Sequence, residues 1–308
     1  MLTDREVMRA QKNHTAYNQL PRNQTTLTGP CTISGRGYWS GESNVLTFLP
    51  APAGTGIRFV RTDLPGRPSV AATADYRSSM PLRTLLSDGR CEVAMVEHVL
   101  AALAGLRIDN CEVHCTAAEM PGMDGSCRDY VLALDSVGKT ELRARRAALQ
   151  ITERIRLGTT SQWIMAEPVT HRTLEVEYQL DYGADSPITR STYRNLLEED
   201  IFYHDIAPAR TFISLADAQA LQQQGLARHV TERDLLVFDE HGPIHNQLRF
   251  ADECARHKAL DLIGDLALTG IDLVGRVTAF RSGHQLNGQM AEKLRTIFMS
   301  QCSATKAA

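Results

Sequence analysis

Hydrophobic and polar positions change their period several times along the chain, and each change marks an element. Asn44 to Leu49 and Ile57 to Thr62 alternate or cluster β-branched and aromatic residues between Gly and Pro breakers, which predicts strands. At Val96 the spacing shifts. Val96, Val99, Leu100 and Leu103 fall at i, i+3, i+4 and i+7, the stripe of a helix that ends near Gly105. Asn110 to Thr116 returns to a period of two. A basic connector, Glu141 to Ala148, precedes an alternating run through Leu149, Ile151, Ile155 and Leu157, and Leu174, Val176 and Tyr178 form another. Ser214 with Asp217 reads as a capping box and Gly225 as a stop, so Leu215 to Gln224 is a short helix within an otherwise irregular insert. A second core helix is expected over Asp252 to Leu268. Its apolar stripe is Ala259, Leu262, Ile263 and Leu266, which leaves His257, Asp261 and Asp265 together on another face. A final helix runs from about Gln285 to Ser300.

The two core helices resemble each other. Each carries a histidine near its start, a glycine seven residues later (His98 with Gly105, His257 with Gly264) and then an Ile-Asp pair. This fits an α+β fold of two similar halves, each a β-sheet packed on a helical layer, with the helical layers face to face and the active site between them. The expected boundaries are a polar N-terminal extension over 1–24, a first α+β domain over 25–145, and a second over 146–308 carrying an insert at about 212–238.

Composition narrows the class. With 308 residues, 43% of them hydrophobic, the chain can bury two cores without a disulfide or metal. A net charge of −3 with no run of like charges lacks the footprint of a nucleic-acid or membrane-surface binder. Seven scattered cysteines read as a reduced, intracellular protein, which we expect in the cytoplasm. Residues 1–24 have no apolar core, so we expect neither a signal peptide nor a membrane helix there, and no obligate protein partner is implied.

The sharpest chemical signal is His257-Lys-Ala-Leu-Asp261, because residues four apart on a helix can point at one ion. An isolated pair of this kind is commonly a surface ion pair. Here the opposite face is strongly apolar, and His98 sits at the matching place on the other helix. Two imidazoles and one carboxylate leave a fourth zinc position open for water, as a hydrolase needs. Glu97, beside His98, is placed to take the proton of such a water. Charge developing on an attacked carbonyl also needs a partner, and His284 and Thr211 are candidates. Cys111-Glu-Val-His114-Cys115 only looks like a metal cluster, since on a strand its cysteines face away from Glu112 and His114. His241 and His245 are separated by Gly242 and Pro243, which forbid the aligning helix. Nucleotide-binding glycine loops and the Gly-x-Ser-x-Gly elbow do not occur.

These motifs resemble the UDP-3-O-acyl-N-acetylglucosamine deacetylases, zinc amidases of lipid A biosynthesis in Gram-negative bacteria. The resemblance runs from about Thr25 to Leu294. It includes Val96-Glu97-His98 through Gly105, Met123-Asp124-Gly125-Ser126, Ala209-Arg210-Thr211-Phe212, Arg256-His257-Lys258 through Asp265, and Ser282-Gly283-His284-Gln285-Leu286-Asn287. It implies zinc ligands at His98, His257 and Asp261, a general base at Glu97, and at His284 the histidine that steadies the intermediate and protonates the leaving amine. It also implies that Asp265 pairs with that histidine, that Lys258 contacts substrate, and that Thr211, followed by Phe212, stands near the attacked carbonyl. The implied substrate is a small sugar nucleotide, and iron(II) fits the same ligands as zinc.

The departures from the family pattern gather on the substrate side. Tyr38-Trp39-Ser40-Gly41 replaces Leu-His-Ser/Thr-Gly, Gly122 replaces an isoleucine, and Ile244-His245-Asn246-Gln247 replaces Asn-Glu-Asp-Gly. Arg228 and His229 stand where small residues line the passage for the substrate's acyl chain. The expectation is a shortened or closed passage. That leaves as alternatives a related deacetylase for another N-acetylated sugar or one without a long acyl chain, and a non-catalytic binding protein.

Overall fold

The computed structural model describes residues 22–78, 80 and 82–307, and among these one strand order occurs twice. In the first half β2 (Cys31–Arg36), β3 (Ser43–Pro50), β9 (Cys111–Cys115), β4 (Ile57–Arg61) and β5 (Ser69–Ala71) lie side by side in that order. In the second half the order is β12 (Ile155–Gly158), β13 (Trp163–Glu167), β19 (Asp272–Phe280), β14 (Leu174–Leu180) and β15 (Ser191–Leu196). Each central strand is antiparallel to one neighbour and parallel to the other: β9 to β3 and β4, β19 to β13 and β14. A parallel pair cannot be joined by a hairpin, and a helix lies on both crossovers. These helices are α1 (Glu97–Gly105) before β9 and α4 (Glu253–Ala267) before β19, while α2 (Arg128–Val137) and α5 (His284–Ala307) follow the central strands. The fold is α+β, as the pattern predicts.

Alternation sets the faces. On β9 the side chains of Cys111, Val113 and Cys115 are buried, while His114 and Glu112 turn outward and meet at 3.0 Å. The helical layers meet through α1 and α4. A Cβ at Gly264 would stand 2.1 Å from the Glu97 carbonyl oxygen, so only glycine allows the two backbones this approach. Leu100 and Leu103 of α1 and Leu260 and Leu262 of α4 are fully buried and contribute roughly 1.5–3 kcal/mol each.

Several elements differ from the sequence expectation. Arg22, Asn23 and Gln24 belong to the fold, because β1 (Asn23–Leu27) pairs with β10 (Lys139–Arg145); the rest of the expected extension lies outside the described residues. The basic connector is therefore largely a strand. The alternating run from Leu149 is two strands, since β11 (Ala148–Gln150) lies parallel to the start of β19 and polar Thr152, Glu153 and Arg154 separate it from β12. The insert is not irregular apart from its helix. It holds a small sheet of β16 (Phe212–Ser214), β17 (Leu236–Asp239) and β18 (Gly242–Pro243), with α3 (Leu215–Gln223) capped by the Ser214 hydroxyl accepting from Asp217 N at 3.0 Å. A further small sheet, β6 (Arg77–Ser78), β7 (Leu85–Ser87) and β8 (Glu92–Ala94), leads into α1. No helix among the described residues is long and apolar enough to cross a membrane.

Candidate active site

Met95, between β8 and α1, has φ 58°, a left-handed conformation costly for its side chain, and it turns the chain so that α1 starts at Glu97. Glu97 and His98 are buried there. Across the interface, His257 and Asp261 stand one turn apart on α4, with His257 Nε2 at 3.5 Å and His98 Nε2 at 3.6 Å from Asp261 Oδ1. The His257 Nδ1 donates to the Ala209 carbonyl at 3.1 Å, which leaves Nε2 as the lone-pair nitrogen. Burial pushes the His257 imidazole down to about 3, so it is neutral, as a ligand must be. Phe212 packs edge-on against this ring, 6.2 Å between centroids.

The donor set fits a divalent ion. Asp261 Oδ1, the atom that faces both imidazoles, is buried without a hydrogen-bond partner, a costly state for a polar atom. Ligand atoms around a tetrahedral zinc lie about 3.4 Å apart, close to the separations found here. Among the described residues, His98, His257 and Asp261 are the group that could hold a metal. Burial opposes the charge on Asp261, yet Lys258, whose Nζ donates to Oδ2 at 2.9 Å, holds it well below the usual carboxylate range.

Beside the triad lie a buried carboxylate and an imidazole, Glu97 and His284. His284, the first residue of α5, places Nε2 3.8 Å from Glu97 Oε1 and 4.0 Å from Asp261 Oδ2. Its Nδ1 donates to Asp265 Oδ2 at 2.9 Å. Burial disfavours the imidazolium, but Asp265 and Glu97 outweigh it and push His284 up to about 10, so the ring is cationic at neutral pH. Burial pushes the Glu97 carboxyl up while His284 pulls it back. A divalent ion at the triad would lower both.

Sequence reasoning assigned no role to two supporting residues. Thr84 donates from its backbone to Glu97 Oε2 at 3.0 Å and from its hydroxyl to Asp265 Oδ1 at 2.5 Å. Asn287 Nδ2 donates to Asp265 Oδ2 at 2.9 Å, and Ser282 Oγ donates to Asn287. Asn287 was visible inside the Ser282 to Asn287 motif, whereas nothing in the letters around Thr84 marks it.

The cluster opens into a cavity of about 1330 Å³ that runs under the insert. Thr211 and Phe212 line it where the insert begins, with Thr211 N donating to Gly125 O at 2.7 Å. Leu215, Ala218, Leu221, Val230 and Val237 form an apolar flank. The expected obstruction at Arg228 and His229 is not found. Arg228 lies against Gly225, and His229 turns outward, its Nε2 donating to Gly37 O at 2.8 Å. The Tyr38 hydroxyl donates to Asp234 O, and its ring occupies the space that a side chain at residue 122 would fill. Asn246 donates to Glu232 O at 2.5 Å from the other side. Residues 229–234 of the insert are thus tied both to the Gly37–Tyr38 segment and to Asn246. His241 and His245 are exposed and pair with Glu240 and Glu232, and neither belongs to the group that could hold a metal.

A buried cluster of two histidines and an aspartate, with a carboxylate and an imidazole beside it in an α+β fold, is the donor arrangement that a single-metal hydrolytic centre would use. Residues 24–296 match the family described as UDP-3-O-acyl N-acetylglycosamine deacetylase, and the chain belongs to that family. Relatives named UDP-3-O-acyl-N-acetylglucosamine deacetylase include one from Anaeromyxobacter sp., 37% identical over 88% of each chain. Another, from Haemophilus influenzae, is 36% identical over 90% of each. A third, from Coxiella burnetii, is 34% identical over 88% of this chain and 89% of its own.

Proposed function

We propose that the chain hydrolyses the N-acetyl group of a UDP-3-O-acyl-N-acetylglucosamine, a cytoplasmic step of lipid A biosynthesis. The observation that carries the reading is the convergence of His98, His257 and Asp261 beside Glu97 and His284 at the inner end of the cavity. The donor set suits zinc, with iron(II) as the alternative, and the ion when bound supplies a water of lowered pKa and polarises the acetyl carbonyl.

The protein's own residues do the rest. Glu97 Oε2 is engaged by Thr84 N, so Oε1 is the atom that takes a proton from the attacking water. His284, held by Asp265 through Nδ1, keeps a proton on Nε2 and delivers it to the leaving nitrogen, so that acetate and a free amine result. Its charge and the Thr211 hydroxyl stabilise the negative charge that develops on the carbonyl oxygen. Lys258 Nζ, 5.7 Å over the Phe212 ring, contacts substrate where the cavity meets α4. The apolar flank of the insert receives the acyl chain.

Removing single groups tests these roles. Glu97→Ala and His284→Ala should each lower kcat/KM for acetate release by about 10²–10⁴ with metal still bound. Retention of full activity by either variant would show that the role given to that residue is wrong.

A further inference from the structure

The Ile-Asp pairs that follow the two core helices have no part in the cluster. Asp109 comes after α1 and Asp272 after α4, and both converge on two arginines. Arg22 donates from Nη1 and Nη2 to Asp109 at 2.6 and 2.8 Å, and from Nε and Nη2 to Asp272 at 2.7 and 2.8 Å. Arg146 Nε lies 3.1 Å from Asp109 Oδ1 and donates to Asp272 Oδ1 at 3.2 Å. The arginines are tied to each other, Arg146 N donating to Arg22 O at 2.9 Å. Arg22 leads into β1 of the first half, and Arg146 into β11 of the second.

The packing around this network is uneven. At Gly264 and Glu97 the helices touch backbone to backbone. Beyond that crossing, toward both C-termini, Leu103 and Ala104 of α1, Leu266 and Ala267 of α4, and Arg22, Asp109, Arg146 and Asp272 together line a cavity of about 300 Å³. The apolar packing of the two helices is interrupted at that cavity, since a void provides no opposing atoms. His98 belongs to one helix, and His257 and Asp261 to the other.

We propose that Arg22, Asp109, Arg146 and Asp272 form a clamp that sets the angle between α1 and α4, and so the distance of His98 from His257 and Asp261. They are positioning residues for the metal centre, a statement that rests on the metal reading above. Two bidentate guanidinium–carboxylate contacts give the clamp its directional stiffness.

The test uses the full chain with cobalt(II) as the probe, reading affinity by competition with a chelator and ligand geometry by visible absorption. Arg22→Lys keeps the charge but loses the fork, and Asp272→Asn removes one carboxylate. Arg154→Ala, which breaks the exposed Arg154–Glu167 pair within the second half, is the control. Both clamp variants should bind cobalt about tenfold or more weakly with an altered absorption band, at unchanged far-UV circular dichroism, while the control matches wild type. Should Asp272→Asn fail to fold, Arg22→Lys decides. Unaltered affinity and spectrum in folded clamp variants would overturn the clamp alone, whatever happens to their melting temperature, since a purely structural pair would lower only stability. A wild-type chain that binds no cobalt would overturn the metal reading and the clamp with it.

Discussion

Thr84 shows how much one side chain can organise. Its amide holds the carboxylate assigned as base, and its hydroxyl holds the carboxylate that orients His284, so two groups from different halves share one anchor. Thr84→Val keeps the shape and removes the hydroxyl. We expect kcat to fall about tenfold with KM little changed, and stability to fall by about 1–2 kcal/mol, measured by steady-state rates and urea unfolding. Glu175 supplies a pH test away from the site. Its burial would raise the carboxyl, but hydrogen bonds from Arg194 and Arg276, helped by His171, bring it down to about 2. A depressed folded value stabilises above the ordinary glutamate pKa of about 4.3 and loses that effect as pH falls toward 2. Glu175→Gln should therefore lower the urea midpoint clearly at about pH 6 and much less at about pH 3.

Among the elements, the approach of α1 to α4 depends on a single missing methyl group. Gly264→Ala puts a carbon 2.1 Å from the Glu97 carbonyl oxygen, and the helices must separate. The expected cost is about 1–3 kcal/mol in chemical denaturation, with weaker metal binding, because His98 moves with Glu97. Both helices were legible in the sequence because each buries a stripe of period 3.6, and α3 was legible from its cap. β10 was not. Its partner β1 lies more than a hundred residues away, its alternate charges look like a linker, and the pairing rather than the side chains makes it a strand. The insert sheet was hidden for a similar reason, since β16 and β17 run parallel across the whole of α3. α5 ran past its expected end because no Gly or Pro follows Ser300 to stop it.

For the molecule as a whole, a metal whose ligands come from both halves must also hold them together. Loading with zinc should raise the melting temperature and chelation should lower it, by the equivalent of about 2.7 kcal/mol at a free ion concentration a hundredfold above Kd. Calorimetry with and without chelator measures this. The two-half arrangement could be sensed in the sequence from the paired His, Gly and Ile-Asp positions, but the repeated strand order could not, because periodicity tells that a strand exists and not what it lies beside. The same limit misplaced Arg228 and His229, whose letters suggested an obstruction and whose side chains point elsewhere. What they and Tyr38 build instead has a consequence for how this chain can change. Gly41, at φ 72°, leaves room for the His229 ring, Gly122 leaves room for Tyr38, and Asn246 holds Glu232 from behind. The segments that depart from the family's usual wording are therefore one another's neighbours. Exchanging one segment for a relative's version would therefore disturb contacts that the others make.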